Sequence, residues 1–333
     1  MNRFQLRPAD LNRDLAFLAA QFSLEEDEPT APAALQLDYE THKDRIFTIT
    51  IAESEPGEPL GFNWGTSSRF DPGEAYFYVI VAPQHRFQGL GALLYQDLER
   101  AASELQIERL VVDIRDTCPE CLAFANHRGF IEKTHRIGMI LDLASFNDRV
   151  YDPKIESLRA QGFVFTNMEV LGDTFEARQK LYTLNNTTAM QTQGSDGKPS
   201  WLSFEDFQKS VCQSEWYIPA AQFVTIDSAT GNWAAMSAIT RFEGTDYAYN
   251  LFTGVDERYR GRGLAQATKT FALRFARDVL RVDTVRTHHN THNPPIIAID
   301  RKMGYRQSPG WITLQKELPR SAGGQKEALN PQI

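Results

Sequence analysis

Two stretches of the chain repeat one alternation of apolar and polar positions. Residues 77–105, FYVIVAPQHRFQGLGALLYQDLERAASEL, return in pattern as residues 251–279, LFTGVDERYRGRGLAQATKTFALRFARDV, at an offset of 174. Each starts as a β-rich run ending in Val, passes a turn with an Arg and two glycines, and continues with apolar residues at helical spacing. A strand follows each helix, at 109–114 and 283–287, and then a second helix that stops at Gly129-Phe130 or Gly304-Tyr305, here at an offset of 175. Glycine just past a helix is the expected left-handed terminator.

The same patterning predicts strands at 3–7, 46–53, 60–67 and 74–81 in the first half, with helices at 11–22 and 35–43. The second half repeats that order, with a strand at 164–170, helices at 175–182 and 204–212, and strands at 222–226, 233–241 and 247–255. The polar stretch 185–200 predicts a long loop, a lid or a disordered segment. Antiparallel meanders leading to one strand-turn-helix crossover make the fold class α+β, a mixed sheet built twice. The expected domains are 1–143 and 154–318, joined by a linker at 144–153 and followed by a mobile tail at 319–333.

Composition adds limits. A chain of 333 residues, 42% hydrophobic and 23% charged, can fold as two domains without staples. With 35 Lys and Arg against 43 Asp and Glu, the net charge of -8 disfavours nucleic acid or anionic lipid as partners and suits a cationic ligand. Three cysteines cannot pair completely, and no apolar leader follows Met1-Asn2-Arg3, so a reduced, cytoplasmic protein is expected, monomeric or homodimeric. No run of 18 apolar residues predicts a membrane span.

The turn after Val81 carries the most chemistry. Gly89 and Gly91 stand where a strand gives way to a helix, and Gly261, Gly263 and Ala265 occupy the equivalent turn. Glycines there let the backbone approach a ligand, and the amides of a helix's first turn attract an anion. A nucleoside-triphosphate loop is excluded because neither copy has its Lys-Ser/Thr pair. The dinucleotide fingerprint fails at its third glycine, where Leu94 and Gln266 stand.

What remains is R/Q-x-x-G-x-G/A. Arg86-Phe87-Gln88-Gly89-Leu90-Gly91 and Arg260-Gly261-Arg262-Gly263-Leu264-Ala265 resemble the pyrophosphate loop of the GCN5-related N-acetyltransferases, or GNAT family. A second frame, 258–263, also fits, and the equal spacing from Val81 and Val255 favours Arg260. The resemblance covers nearly all of the chain and implies two tandem GNAT folds, each a mixed, mostly antiparallel sheet flanked by helices. TGVDERYRGRGLAQATK is similar to two-domain bacterial members, a set that includes mycothiol synthase.

The resemblance further implies acetyl-coenzyme A bound by Val81, Arg86, Gln88, Gly89, Leu90, Gly91 and Ala92 in the first unit. In the second it implies Val255, Arg260, Gly261, Arg262, Gly263, Leu264, Ala265, Gln266 and Asn293, the last equally suited to capping a helix. The implied reaction is direct acetyl transfer to a primary amine of a small molecule in a ternary complex, with a backbone N–H near Val81 or Val255 polarising the thioester carbonyl. Many members place a proton-donating Tyr four residues before the Gly of the Gly-aromatic pair; here Ala125 and Asp300 stand there. Ala125 cannot donate a proton, so the C-terminal unit is the expected catalyst and the first the degenerate or regulatory half.

Some members carry a general-base Glu six residues before the terminal Val, where this chain has Ala75 and Tyr249. Glu74 is one residue off and would face the other side of the sheet. Tyr249, His289 and Asp300 are therefore the catalytic candidates, with Asp256 a further place for a water chain. His288, His289 and His292 lack a paired carboxylate or cysteine set, so no metal is expected. Cys118-Pro119-Glu120-Cys121 reads as helix-start packing rather than redox chemistry. Trp201, Phe204, Phe207, Trp216 and Tyr217 read mostly as core, with one or two lining an acceptor site. A non-catalytic acyl-coenzyme A sensor or scaffold is the alternative from another class. A mycothiol synthase-like enzyme is the alternative within the same chemistry, and the missing Tyr and Glu count against it.

Overall fold

The computed structural model describes residues 4–25, 29–55, 57–69, 71–192, 197 and 199–319. The tail beyond Pro319 and residues 193–196 and 198 of the 185–200 stretch lie outside the described residues. Two compact units form. One holds the chain up to Ile114, Cys118–Lys133 and the residues from Thr313 onward; the other holds Arg115–Thr117 and Thr134–Ile312.

In the first unit β1 (Phe4–Pro8), α1 (Leu11–Glu25), α2 (Pro32–His42), β2 (Ile46–Ser54), β3 (Pro59–Ser67), β4 (Glu74–Val81), α3 (Leu90–Glu104), β5 (Arg109–Arg115) and α4 (Pro119–Asn126) follow in order, before β6 (Ile131–Asp142). Strands β1 to β4 form an antiparallel meander and β5 runs parallel to β4. Leu18 and Phe22 of α1 bury against Phe62 and Trp64 of β3, while Leu90 and Leu94 of α3 bury with Ala52 and Leu60. Each large side chain so enclosed contributes about 1.5–3 kcal/mol.

The second unit continues with α5 (Asp152–Ala160), β7 (Phe163–Asn167), α6 (Phe175–Met190), α7 (Phe204–Phe207), β8 (Gln222–Asp227), β9 (Trp233–Thr240), β10 (Ala248–Val255), α8 (Leu264–Asp278), β11 (Thr284–Asn290), α9 (Pro294–Lys302) and β12 (Arg306–Glu317). Strands β7 to β10 are antiparallel neighbours in order, and β11 runs parallel to β10. Both halves are thus α+β with a mostly antiparallel sheet flanked by helices.

The closing strands distribute differently from the sequence boundaries. Residues 136–142 of β6 pair with β11 in the second unit, and Thr313 and Glu317 of β12 bond to Asp113 and Arg109 in the first. Hydrophobic alternation locates a strand but carries no information on its neighbour. Two further expectations change. The stretch 185–190 is helical rather than a loop, because α6 turns Leu184, Asn186 and Thr188 inward, where Asn186 exchanges two hydrogen bonds with the backbone of Trp201. The 144–153 linker is anchored, since Asp148 is buried and accepts from Arg274 at 2.6 Å and Arg277 at 3.0 Å.

Candidate active site

The two glycine turns have one backbone shape. After β4, Phe87 and Gly89 hold φ +63° and +89°; after β10, Gly261 and Gly263 hold +77° and +85°. Gly89 and Gly263 are the N-caps of α3 and α8, so the amides of Leu90 and Gly91 and of Leu264 and Ala265, the first two of each helix, have no intrahelical acceptor. A Cβ built on Gly89 or Gly261 would meet nothing within 4 Å, leaving open space beside the backbone where an anion can approach.

Arg86 donates from Nε to the carbonyl of Val81 at 3.0 Å, and Arg260 does the same to Val255 at 3.2 Å. That matching bond selects the frame beginning at Arg260, because Arg258 is instead engaged by both oxygens of Asp256. Asp256, one candidate for a water chain, is held by that pairing below its ordinary value. Leu264 is buried in the first turn of α8, while Arg262 is exposed beside the rings of Phe163 and Tyr259.

Sequence reasoning missed Lys154. Its Cε lies 2.6 Å from where a Cβ on Gly263 would sit, so its aliphatic arm crosses the start of α8. A cation at the positive end of a helix is unfavourable alone and becomes favourable when an anion sits there too.

Beside each turn the parallel pair of strands opens. Pairing of β4 with β5 ends at Tyr76–Val111, and pairing of β10 with β11 ends at Tyr249–Arg286. In the second unit the register also slips between Asn250 and Phe252, a bulge, whereas the β3–β4 register is unbroken. The Thr287 hydroxyl donates to the Asn250 carbonyl at 2.9 Å across the opening. Asn293 begins α9, and its side chain makes no cap hydrogen bond.

Two of the three catalytic candidates come together. Asp300 is fully buried on α9 and accepts from or shares a proton with Nε2 of His289 at 2.7 Å. Its other oxygen accepts from Lys269 Nζ at 2.5 Å, and Lys269 is fully buried as well. Burial raises the Asp300 carboxyl, but the charge of Lys269 and the bond from His289 outweigh it and hold it below its ordinary value. Burial pushes the Lys269 ammonium down, with Asp300 opposing.

Tyr249 is not part of this cluster. Its hydroxyl meets Nδ1 of His288 at 2.8 Å, and His288 and His289, adjacent along β11, face opposite sides of the sheet. Lys269 was missed by sequence reasoning, although it is a lone charge on the stripe that carries Leu273 and Ala276, a detectable signal.

In the first unit the places of Lys269, Asp300 and Tyr305 hold Tyr95, Ala125 and Phe130, all buried. Cys118 and Cys121 are joined by a disulfide at the start of α4, which corrects the expectation of reduced cysteines for this pair: a spacing of three on one helical turn brings the sulfurs together. Cys212 is a buried free thiol, pushed up by burial to about 11. The aromatic residues Trp201, Phe204, Phe207, Trp216 and Tyr217 pack in one core with Leu181 and Met236, as expected for most of them.

Residues 14–130 match the profile of the Acetyltransferase (GNAT) family. Solved structures align along nearly all of the chain. The fold along the chain is similar to that of tandem GNAT proteins. A GCN5-related N-acetyltransferase from Sphaerobacter thermophilus is 17% identical with a TM-score of 0.68, covering 95% of this chain and 96% of that one. A tandem GNAT protein from the clavulanic acid biosynthesis pathway is 16% identical with a TM-score of 0.71, covering 94% and 98%. The glucosamine N-acetyltransferase region of a fungal multi-domain β-N-acetylglucosaminidase is 14% identical with a TM-score of 0.71, covering 94% of this chain and 38% of that one. No curated protein matches the sequence. The family match covers about a third of the chain. Among the described residues, no helix is long and apolar enough to cross a membrane.

Proposed function

We propose that the chain is an acetyl-coenzyme A-dependent N-acetyltransferase acting on a primary amine of a small molecule, with the chemistry in the second unit. The observation that carries this is the His289–Asp300 pair on α9 and β11 beside the opened β10–β11 ladder, against Ala125 at the same place in the first unit.

The glycine turn fits the pyrophosphate of the coenzyme: it offers amides without intrahelical acceptors, open space at Gly261 and the Lys154 ammonium nearby. Val255, Arg260, Gly261, Arg262, Gly263, Leu264, Ala265 and Gln266 form its floor, and the uncapped Asn293 side chain is suited to the pantetheine arm. When bound, acetyl-coenzyme A supplies the thioester carbonyl that an amine can attack. The Arg260 guanidinium, bonded to Val255, keeps the turn in register with β10. His289 handles the proton, and Asp300 orients its ring.

For the first unit, Ala125 and the aromatic cluster of Phe77, Tyr95, Phe124 and Phe130 favour a coenzyme-binding role without catalysis. The test is free-thiol release when acetyl-coenzyme A is mixed with a panel of primary amines. Release with at least one amine, abolished by Gly263→Glu and retained in Gly89→Glu, is expected. Activity lost only in Gly89→Glu reverses the assignment of units, and tight coenzyme binding without turnover of any amine favours the sensor reading.

A further inference from the structure

Lys269 has no exposed surface and its amine is paired with Asp300, on a helix whose same face carries Leu273 and Ala276. Burying an ammonium costs several kcal/mol, and the same place in the first unit is filled by an uncharged aromatic side chain, Tyr95. Its surroundings form a chain of contacts. Nζ donates to Asp300 Oδ1 at 2.5 Å and lies 4.5 Å above the ring of Tyr305. Asp300 Oδ2 meets Nε2 of His289 at 2.7 Å, and the His289 side chain alone among these reaches the surface, with 11% exposed. The Tyr305 hydroxyl is buried with no hydrogen-bond partner among the described residues.

We propose that Lys269 is a positioning residue for the acyl transfer of the second unit: paired with Asp300, it fixes the proton of His289 on Nε2 and leaves Nδ1 as the proton-accepting atom. This rests on the function proposed above. An ionised Asp300 is an acceptor only, so the ring nitrogen facing it carries hydrogen. His289 then takes the amine proton on Nδ1 as the new C–N bond forms. It gives that proton to the sulfur as the C–S bond breaks and the electron pair leaves with the thiolate, so the imidazole ends neutral and no oxidant or reductant is needed.

Among the described residues, the charged and titratable groups around His289 come from four elements: on β6, His135 lies two residues from the cross-strand partner of His289 and is paired with Asp116 at 3.2 Å. Lys269 comes from α8, Asp300 from α9, and Tyr305 from the turn that follows α9. Its partner on β6 is Ile137, which is uncharged, and Tyr249 of β10 is engaged by His288 on the other face. Without the lysine, the remaining carboxylate–imidazole pair has one positive charge fewer beside it and binds a proton more readily.

The experiment is the pH profile of kcat/KM for the full chain and for Lys269→Met and Lys269→Arg. The acidic limb of Lys269→Met is expected to move up by about one pH unit or more, with activity recovering at higher pH, and Lys269→Arg is expected to restore the limb. A uniform loss at all pH values with an unmoved limb would overturn the proposal, because it reports only damaged packing. Nitrogen NMR of the unmodified protein, with the His289 signal assigned by His289→Gln, gives a second readout that requires neither activity nor a Lys269 variant. Hydrogen on Nε2 is expected; the Nδ1–H tautomer would contradict the proposal. If no amine is ever acetylated while Nε2 carries hydrogen, the proposed function fails and the Lys269–Asp300–His289 arrangement stands.

Discussion

Phe87 occupies, at φ +63°, the place that Gly261 fills at +77° in the other turn, and the residue is 89% exposed. A side chain in the left-handed region is strained, and an exposed ring returns little packing to offset it. Phe87→Gly is therefore expected to raise stability by about 1 kcal/mol in urea unfolding. A loss of stability would show that contacts of the ring outweigh the strain. The turn residues were legible in the sequence because Arg86, Gly89, Arg260 and Gly263 are set by local spacing. His289 and Asp300 were legible as chemical types at the right elements, but their contact with Lys269 was not. That contact joins residues 31 positions apart, and a lysine in a helix ordinarily keeps its ammonium in water.

Segments that look like connectors here are structural elements. Asp148, just ahead of α5, is clamped by Arg274 and Arg277 of α8. Burial raises its carboxyl, and the two guanidinium groups outweigh burial and hold it below its ordinary value. A lowered folded-state value means this stabilisation is complete above the unfolded carboxylate range, near about 3.9, and is lost as pH falls through the folded value. Asp148→Asn is expected to cost about 2 kcal/mol near neutral pH and to flatten the decline of stability on acidification. An unchanged acid slope would show that the Asp148 carboxylate adds no pH-dependent stability. The sequence hid α5 and the far end of α6 because polar runs such as Asn185-Asn186-Thr187-Thr188 look like loop until Trp201 is seen to accept and donate to Asn186. The bulge in β10 was equally silent, since a register slip depends on the neighbouring strand.

At the scale of the molecule, the internal repeat made the duplicated α+β fold legible from spacing alone, while strand partnership was not. Nothing local in residues 136–142 or 313–317 names β11 or β5 as neighbours. The duplication is also unequal: both units keep the Arg-to-strand bond and the left-handed glycine, and only the second has the buried Lys269–Asp300–His289 chain. Under the proposed function, the turn at Gly263 holds a coenzyme thioester by its backbone. Calorimetric titration of acetyl-coenzyme A into the full chain and its Gly263→Glu variant, with folding of both checked by circular dichroism, tests it directly. Saturable binding to the unmodified chain at a site weakened by about 100-fold or more in the variant, a loss of roughly 2.7 kcal/mol, is the predicted result. No binding heat from the unmodified chain, or titration curves that coincide for the two folded proteins, would contradict it.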